Sequence, residues 1–209
     1  MKKVLFIIGF PCLIFLNSLS QSSWQVVNSP VSENLVSVCF TDLMHGFIVS
    51  ENATFIKTTD GGTSWQTSFA WPGIYLNDVF FCDTNQGWSV GWFDNGGADS
   101  SLILKTVDGG NLWTGTDHLP VNRFNDVFFI DFDKGWAVGS KGEQNLNCIY
   151  HSPDGGLTWS EQTGMLIIGA ELMGVSFRNE SQGSVCGADG AFFITNNGGT
   201  SWAMVISTP

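Results

Sequence analysis

Four copies of one segment constrain the fold of this chain more than any other feature of its sequence. Each copy contains a polar turn with two consecutive glycines, and a tryptophan follows the turn. The four turn segments are Lys57–Trp65, Lys105–Trp113, His151–Trp159 and Ile194–Trp202. Their tryptophans are 48, 46 and 43 residues apart. A period of this length predicts structural repeats that stack on their neighbours and bury a continuous core between them.

Apolar residues at alternating positions predict the strands inside each repeat. Each copy opens with a valine and a phenylalanine two positions apart, which places both on one face of a strand. The pairs are Val38 and Phe40, Val79 and Phe81, Val127 and Phe129, and Val175 and Phe177. A glycine and a second strand follow, a third strand leads into the polar turn, and a fourth begins at the tryptophan. Each repeat is therefore predicted as an antiparallel meander of strands A to D, and four such sheets give an all-β fold of propeller-type blades.

The blades are predicted to span about 35–69, 76–117, 124–163 and 172–206, and one orphan strand precedes them. Residues 23–27 resemble a strand D that lacks the other strands of its repeat. In a closed ring such a strand completes the last blade, but the fourth repeat already has its own strand D. We therefore expect an open arc or a fragment of a larger propeller, whose unpaired edges and faces favour self-association.

The polar turns have a structural explanation. Asp60, Asp108 and Asp154 each precede two glycines, and glycine adopts the positive φ that a tight hairpin requires. An aspartate in such a turn accepts hydrogen bonds from nearby backbone amides. Asn197 replaces the aspartate in the fourth copy and keeps an acceptor oxygen, so the charge is dispensable. These residues are predicted to hold the hairpins rather than a ligand, together with the tryptophans that follow them: Trp65, Trp113, Trp159 and Trp202.

The turns follow the pattern Ser/Thr-x-Asp-x-Gly-x-x-Trp and resemble the Asp boxes of bacterial neuraminidase repeats. The longer pattern, Leu-x-x-Val-x-Phe with Gly-Trp-x-Val-Gly and Lys-Thr-x-Asp-Gly-Gly-x-x-Trp, is similar to the photosystem-II-stability/assembly-factor-like propeller family over nearly all of residues 24–202. This resemblance implies a propeller scaffold rather than a reaction, and many such proteins are exported. In photosynthetic members an arginine-rich patch engages a partner protein. This chain has only Arg123 and Arg178, so that patch is not carried over.

The amino terminus has the pattern of a secretory signal peptide. Two lysines precede the apolar run 4–16, and small residues lead up to Gln21, which predicts a signal peptide at 1–20 and the repeats at 21–209. A membrane anchor and a lipoprotein modified at Cys12 are the alternatives, but the run is shorter than the ~20 residues of a spanning helix. The chain is expected in the secreted, periplasmic or envelope space, with no membrane insertion after cleavage.

The net charge argues against two kinds of partner, nucleic acids and anionic membrane surfaces. Cleavage at Gln21 removes two lysines and no acidic residue, so the net charge moves from −11 to −13. Nucleic-acid binding depends on lysine and arginine contacts to phosphates, and anionic membrane surfaces attract basic segments. A chain this acidic is predicted to bind neither.

The cysteines and histidines predict neither a metal nor a cofactor. The mature chain keeps Cys39, Cys82, Cys148 and Cys186, and the sequence leaves their disulfide pairing open. No two of them have the Cys-x-x-Cys spacing of a zinc site. Cys186 occupies the strand B position that holds valine in the other repeats, so we expect it in the core as a small apolar residue.

Blade topology predicts where a partner could bind. The A–B and C–D loops share one face of the fold, and the B–C and D–A loops share the other, where irregular loops with exposed aromatic residues gather. The candidate binding residues on that second face are Trp71, Tyr75, Trp92, Phe93, Asp94, His118 and Arg123. Alternatively, Trp71 and Trp92 cap the junctions between blades. Calcium held by Asp94, Asn95 and Asp99 is a further alternative, although these residues lack the spacing of an EF-hand.

Two enzyme classes were weighed against a binding role. Sialidases need three arginines around the substrate carboxylate, and two arginines cannot supply them. A polysaccharide-active Asp-box hydrolase needs a pair of carboxylates facing a cleft, and no acidic pair stands out from the turn residues. The sequence therefore predicts an exported, non-enzymatic scaffold that contacts a protein or a glycan without a cofactor.

Overall fold

The computed structural model describes residues 26–94, 99–115, 119–142, 146–162 and 170–205. The predicted signal peptide and Trp24 lie outside these ranges, so cleavage at Gln21 stays a prediction. Of the predicted orphan strand, only Val26 and Val27 are described, and they are not in a strand. Within the described ranges, no helix has the length and apolar character that a membrane crossing requires.

Sixteen strands in the described residues form four antiparallel sheets, each with its strands side by side in chain order. The first blade contains β1 (Leu35–Phe40), β2 (Gly46–Ser50), β3 (Thr54–Thr58) and β4 (Gln66–Ala70). The second contains β5 (Tyr75–Phe81), β6 (Gly87–Asp94), β7 (Asp99–Thr106) and β8 (Thr114–Gly115). The third contains β9 (Arg123–Phe129), β10 (Gly135–Lys141), β11 (Leu146–Ser152) and β12 (Ser160–Glu161). The fourth contains β13 (Leu172–Phe177), β14 (Gly183–Gly187), β15 (Phe192–Thr195) and β16 (Ala203–Met204), with a 3₁₀ turn at Ala188–Gly190. The predicted all-β fold of four antiparallel four-stranded blades is confirmed.

Consecutive blades are joined by apolar cores. The first strands of the blades contact one another in the order β1, β5, β9 and β13. One buried cluster lies between each pair of successive blades. At the centre of each cluster an aromatic ring of strand B stacks on the strand A phenylalanine of the next blade. The stacked pairs are Phe47 and Phe81 at 3.6 Å, Trp88 and Phe129 at 3.6 Å, and Trp136 and Phe177 at 3.5 Å between ring centroids.

The glycines of the Gly-Trp-x-Val-Gly segment allow close packing between strands A and B. A Cβ atom on Gly135 would lie 2.4 Å from the ring of Phe129, which covers that glycine. A Cβ atom on Gly139 would lie 2.1 Å from the carbonyl oxygen of Arg123, at an irregularity in the register of β9 and β10. Real atoms do not approach so closely, so both glycines are required by sterics.

The two ends of the stack differ from its interior. We call the side of a blade that meets the preceding blade its leading face, and the opposite side its trailing face. On the leading face of the first blade, Val38 is 60% exposed and Phe40 is 49% exposed, whereas Val79 and Phe81 at the same positions of the second blade are 3% and 4% exposed. No packing of comparable extent joins the first and fourth blades in the described part of the chain. The open arrangement expected from the strand count agrees with these exposures.

One expectation about the core is wrong. Cys186 is exposed rather than buried, because it lies on the trailing face of the fourth blade and no described blade covers that face. Val90 and Val138, at the same position of the second and third blades, are fully buried. All four described cysteines, Cys39, Cys82, Cys148 and Cys186, are free.

Candidate functional site

The four turns that resemble Asp boxes, which we call the Asp-box turns, are held by hydrogen bonds within the turn. In the first, the Thr58 hydroxyl donates to Asp60 at 2.7 Å, and the amide of Gly62 donates to the Thr58 hydroxyl at 3.0 Å. The amide and hydroxyl of Ser64 donate to the two oxygens of Asp60 at 2.9 and 2.6 Å. These donors, Ser64 first, lower the pKa of Asp60 to about 2. Both oxygens of the Asp60 carboxylate thus accept hydrogen bonds from groups of the same turn.

The fourth turn shows that the charge is dispensable for this arrangement. The Thr195 hydroxyl donates to the Asn197 side-chain oxygen at 2.9 Å, and the Ser201 amide donates to the same oxygen at 2.9 Å. The Asn197 amide nitrogen donates to the Ser201 hydroxyl at 2.8 Å. An amide therefore reproduces the contacts that the carboxylate makes in the other turns.

Neighbouring blades also contact the Asp-box turns. The indole nitrogen of Trp88 donates to the carbonyl of Gly155 at 3.0 Å, across the joint between the second and third blades. The Lys57 ammonium donates to the side-chain oxygen of Asn111 at 2.6 Å, across the joint between the first and second. The geometry of the turns supports the structural role predicted for them.

An aromatic and charged cluster lies on the opposite face, where the D–A and B–C loops meet the innermost strands. We call it the axial patch, and it consists of Tyr75, Trp92, Arg123 and Glu171. Tyr75 and Trp92 are cross-strand partners in β5 and β6, and their rings stack at 4.4 Å between centroids. The guanidinium carbon of Arg123 lies 5.7 Å from the centre of the Trp92 ring. A Glu171 oxygen lies 3.9 Å from Arg123 Nε.

Repeat symmetry brings the axial patch together. Tyr75, Arg123 and Glu171 each directly precede the first buried apolar residue of strand A in the second, third and fourth blades. Because the first strands of consecutive blades are adjacent, these three positions are neighbours although they are far apart in sequence. Tyr75 is 39% exposed and Arg123 and Glu171 are part-exposed. The patch therefore presents an aromatic ring beside a cation and an anion.

The other predicted binding residues have different surroundings where the structure describes them. Trp71 and Phe93 are partly buried and pack on the core between the first and second blades, and Trp71 meets Phe69 edge to face at 6.1 Å. The capping role weighed for Trp71 thus fits its packing. Asp94 ends β6 and is exposed. His118 lies outside the described residues.

A pair of carboxyl groups, Asp78 and Asp126, was missed by the sequence analysis. They occupy the same position of strand A in the second and third blades, and both side chains accept from the Val127 amide, at 3.1 and 3.0 Å. Asp78 also accepts from the Ser37 hydroxyl at 2.6 Å. Asp126 accepts from the Val175 amide at 2.6 Å. Each carboxyl thus satisfies a backbone amide of the next blade.

The Asn-Asp dipeptide of the two inner blades was the signal for this pair. Asn77 donates to the carbonyl of Phe124 at 2.7 Å, and Asn125 donates to the carbonyl of Leu172 at 2.7 Å. The asparagine thus donates to a backbone carbonyl of the facing strand, and the aspartate accepts from one of its backbone amides. The repeated dipeptide at 77–78 and 125–126 therefore marks a polar clasp between blades.

The clasp does not supply the carboxylate pair of a glycosidase. Burial first, and then the contact with Asp78, raises the pKa of Asp126 to about 8. Asp126 therefore keeps its proton at neutral pH. Glycosidase carboxyls stand about 5 to 9 Å apart with the scissile bond between them, whereas these two are in direct contact.

No metal site is evident in the described ranges, where no three His, Cys, Asp or Glu side chains are clustered to hold an ion. Of the residues weighed for calcium, Asn95 and the side chain of Asp99 lie outside those ranges. The calcium hypothesis therefore remains a prediction from sequence.

The repeat pattern matches a known family. The family model described as Photosynthesis system II assembly factor YCF48 matches residues 16–114. The Photosystem II assembly lipoprotein Ycf48 of Trichormus variabilis is 44% identical over 50 residues, covering 23% of this chain and 15% of that protein. The same protein of Nostoc is 42% identical over 50 residues, with the same coverage. These alignments thus span well under a quarter of the length of the relatives.

Solved structures share the fold. The structure of YCF48 bound to D1 peptide matches with a TM-score of 0.52 and 16% identity, covering 85% of this chain and 84% of that chain. YCF48 from Cyanidioschyzon merolae matches with a TM-score of 0.60 and 22% identity, covering 78% and 50%. A GH74 xyloglucanase from Xanthomonas campestris matches with a TM-score of 0.60 and 10% identity, covering 80% and 28%. At these identities the likeness shows the fold alone, and the fold serves assembly proteins as well as enzymes.

The family model, the named relatives and the shared fold agree with one another. They confirm the resemblance drawn from the repeated valine, glycine and tryptophan positions. This chain has a fold of β-propeller blades and is similar, over residues 16–114, to the photosystem II assembly factor family.

Proposed function

We propose that this chain is an exported, non-enzymatic scaffold that holds a segment of a partner protein on its axial patch. The observation that carries the proposal is the stack of Tyr75 on Trp92 beside the Arg123 and Glu171 pair. Exposed aromatic and arginine side chains are the groups that dominate protein recognition. The relatives named as assembly proteins agree with a role without turnover.

The geometry of the patch suits an extended segment with an apolar side chain and a polar backbone. The exposed part of the Tyr75 ring offers apolar contact area at low conformational cost. Arg123 and Glu171 supply a donor and an acceptor close to that ring. Tyr75 stacks on Trp92, and Tyr75 and Arg123 lie on the first strands of their blades. These contacts hold the patch in place before a partner arrives, which reduces the entropic cost of binding.

A protein partner is favoured over a glycan by the comparisons. One protein with this fold was solved with a bound peptide, and the sequence relatives carry assembly names. The D1 peptide itself is not carried over, because this chain has two arginines and the arginine-rich patch of the photosynthetic members is missing. Export is supported by the predicted signal peptide and by relatives that are named lipoproteins.

Site-specific crosslinking in the native organism tests the proposal. A photoreactive phenylalanine analogue replaces Tyr75 in one strain and Leu157 in a second. Leu157 is 74% exposed in the third Asp-box turn, on the opposite face. We expect one exported or envelope protein to crosslink from Tyr75 and not from Leu157.

A second substitution tests whether the patch itself is responsible. Adding Trp92→Ala to the Tyr75 crosslinking strain removes the ring on which the probe rests, so we expect the crosslink to be lost. Equal crosslinking from both faces, or a crosslink that Trp92→Ala leaves unchanged, would contradict the proposal. Specific binding of the purified protein to a glycan array, lost in Trp92→Ala, would assign the patch to the glycan alternative instead.

A further inference from the structure

The ring of Tyr75 lies at the joint between the first and second blades, at one end of the axial patch. The ring stacks on Trp92 with 4.4 Å between centroids. Tyr75 is nevertheless 39% exposed, so the stack leaves part of the ring accessible to a ligand. The groups beside that ring therefore decide which chemistry the ligand needs.

One repeat position contacts the axial patch from the preceding blade. It is the fifth residue after the glycine that opens strand B, and it is Glu51, Trp92 and Ser140 in the first three blades. At the second joint, Trp92 lies under the guanidinium of Arg123, 5.7 Å from its carbon. At the third joint, the Ser140 hydroxyl donates to Glu171 at 3.4 Å. Each residue at this position thus meets the patch residue of the following blade.

The same relation places Glu51 beside Tyr75 at the first joint. The backbone agrees with it, because the amide of Leu76 donates to the carbonyl of Glu51 at 3.1 Å. The side chain of Glu51 is half-buried, and its carboxylate accepts from the side-chain amide of Asn34 at 3.0 Å. An oriented carboxylate therefore lies at the rim of an exposed aromatic ring.

We propose that Tyr75 and Glu51 form a subsite for a basic side chain, lysine or arginine, of the partner segment. The inference rests on the proposed function, because it names the chemistry of a residue that the axial patch holds. An aromatic ring attracts a cation placed over its face. A carboxylate at the same rim gives that cation an ion-pair partner.

The chain contains this arrangement of groups at the next joint. There the aromatic ring is Trp92, the cation is Arg123 at 5.7 Å from the ring centre, and the carboxylate is Glu171 at 3.9 Å from the arginine Nε. The first joint has the ring of Tyr75 and the carboxylate of Glu51. A basic side chain from the partner would occupy the place of the cation and complete the same set of three groups.

The charge of the chain favours the same class of segment. The full sequence has a net charge of −11, and a negative field speeds the association of basic segments. The hydroxyl of Ser50 donates to the carboxylate of Glu33, which brings a second acidic group near Glu51. An acidic segment would be repelled at this joint, and an apolar one would make no ion pair with Glu51.

Selection of peptides from a random library displayed on phage, with the purified exported protein as bait, tests the subsite. We expect the selected peptides to share a lysine or arginine beside an apolar residue. Synthetic copies of one peptide then carry the basic residue, norleucine or glutamate at that position, and fluorescence anisotropy measures their affinities. The parent protein should bind the basic form at least about tenfold more tightly than the glutamate form, and added salt should reduce the difference.

Charge reversal in the protein provides the matched comparison. Glu51→Lys should weaken binding of the basic peptide at least about tenfold and strengthen binding of the glutamate form. Asp133→Lys makes the same change of charge at an exposed residue of an A–B turn, on the opposite face, and should change either affinity by less than about twofold. Tyr75→Leu should reduce the preference for the basic form over the norleucine form. Thermal melts confirm that every variant is folded.

Failure of the subsite can be told apart from failure of the scaffold role. Peptides that lose binding in Trp92→Ala but share no basic residue would overturn the subsite and leave the scaffold role standing. Equal affinities of Glu51→Lys and Asp133→Lys for the basic peptide would do the same. A library that yields no peptide whose binding depends on Trp92 would contradict the scaffold role, and the subsite with it.

Discussion

The contact between Asp78 and Asp126 leads to a sharp prediction about stability and pH. Replacing Asp126 with asparagine preserves the contacts of the protonated carboxyl. The new amide donates toward Asp78, and its oxygen still accepts from the Val175 amide. The substitution removes only the ionisable proton. We therefore expect Asp126→Asn to fold like the parent and to lose the pH dependence that the clasp confers.

The direction of that dependence follows from the raised pKa. The pKa of Asp126 is about 8 in the folded chain, whereas an unfolded aspartate titrates near 4. The folded state therefore keeps a proton that the unfolded state releases. The stabilisation is fully present below about pH 4 and is lost as pH rises through about 8. Between pH 5.5 and 8 the free energy of unfolding falls by at most ~1.4 kcal/mol per pH unit, which gives a ceiling of about 3 kcal/mol. Water entering between two separating carboxylates reduces this, and we expect roughly 1.5 to 3 kcal/mol.

Urea unfolding followed by tryptophan fluorescence at pH 5.5, 7 and 8.5 measures this loss. The comparison with Asp126→Asn cancels other titrations, including that of His151. Burial lowers the pKa of His151, so its contribution to stability changes with pH in the opposite direction. The Asp-box aspartates have lowered pKa values, so they change the free energy of unfolding only at a more acidic pH. Equal slopes for parent and variant from pH 5.5 to 8.5 would refute the raised pKa of Asp126.

Four further outcomes are expected. Asp108→Ala should lower the free energy of unfolding by about 1 to 3 kcal/mol through turn amides left without an acceptor, while Asp108→Asn should cost much less; equal losses in both variants would contradict the acceptor role. Gly139→Ala should cost several times more in a thermal melt than Gly115→Ala, because the nearest atom to the new Cβ lies at 2.1 Å in the first and 3.7 Å in the second. Mass spectrometry of the exported protein should place its amino terminus at or within two residues of Gln21, and an intact leader on a soluble protein would sink that prediction. Purified protein should release no product from sialosides or β-glucans, and a reproducible rate abolished by one acidic substitution would show otherwise.

The regular part of the fold was predictable because the same sequence pattern occurs in all four repeats. Alternating apolar residues such as Val79 and Phe81 reveal a strand locally, and the glycine before Trp88 marks the next one. The outer strands are harder to predict from the sequence. The described part of strand D in the second blade is Thr114–Gly115. An outermost strand is paired on one side only, so alternating apolar residues mark it less clearly.

Contacts between blades could be predicted only in part. Tyr75, Trp92 and Arg123 were placed on one face by topology, but their stacking depends on the register of β5 and β6 and on the approach of the next blade. Cys186 shows the limit most clearly, because its position in the repeat indicates a core residue. Whether that position is buried depends on a blade that follows, and the residue type carries no information about that neighbour.

The carboxyl pair escaped the sequence analysis for a related reason. Asp78 and Asp126 belong to different repeats, and each resembles an ordinary exposed strand residue. They meet only because the first strands of successive blades are adjacent. An Asn-Asp dipeptide at one position of two successive repeats was a usable signal, since asparagine and aspartate together match a donor and an acceptor of a facing backbone.

The affinity of two tryptophan variants for the crosslinked partner tests the account most directly. Trp71 and Trp92 belong to the same side of the fold, but Trp71 packs on the core between blades whereas Trp92 supports the axial patch. Isothermal titration of the identified partner into Trp92→Leu and Trp71→Leu compares them, with thermal midpoints measured alongside. We predict at least about tenfold weaker binding for Trp92→Leu and unchanged affinity for Trp71→Leu. Equal affinities, or a loss confined to Trp71→Leu, would contradict a scaffold that binds through this patch.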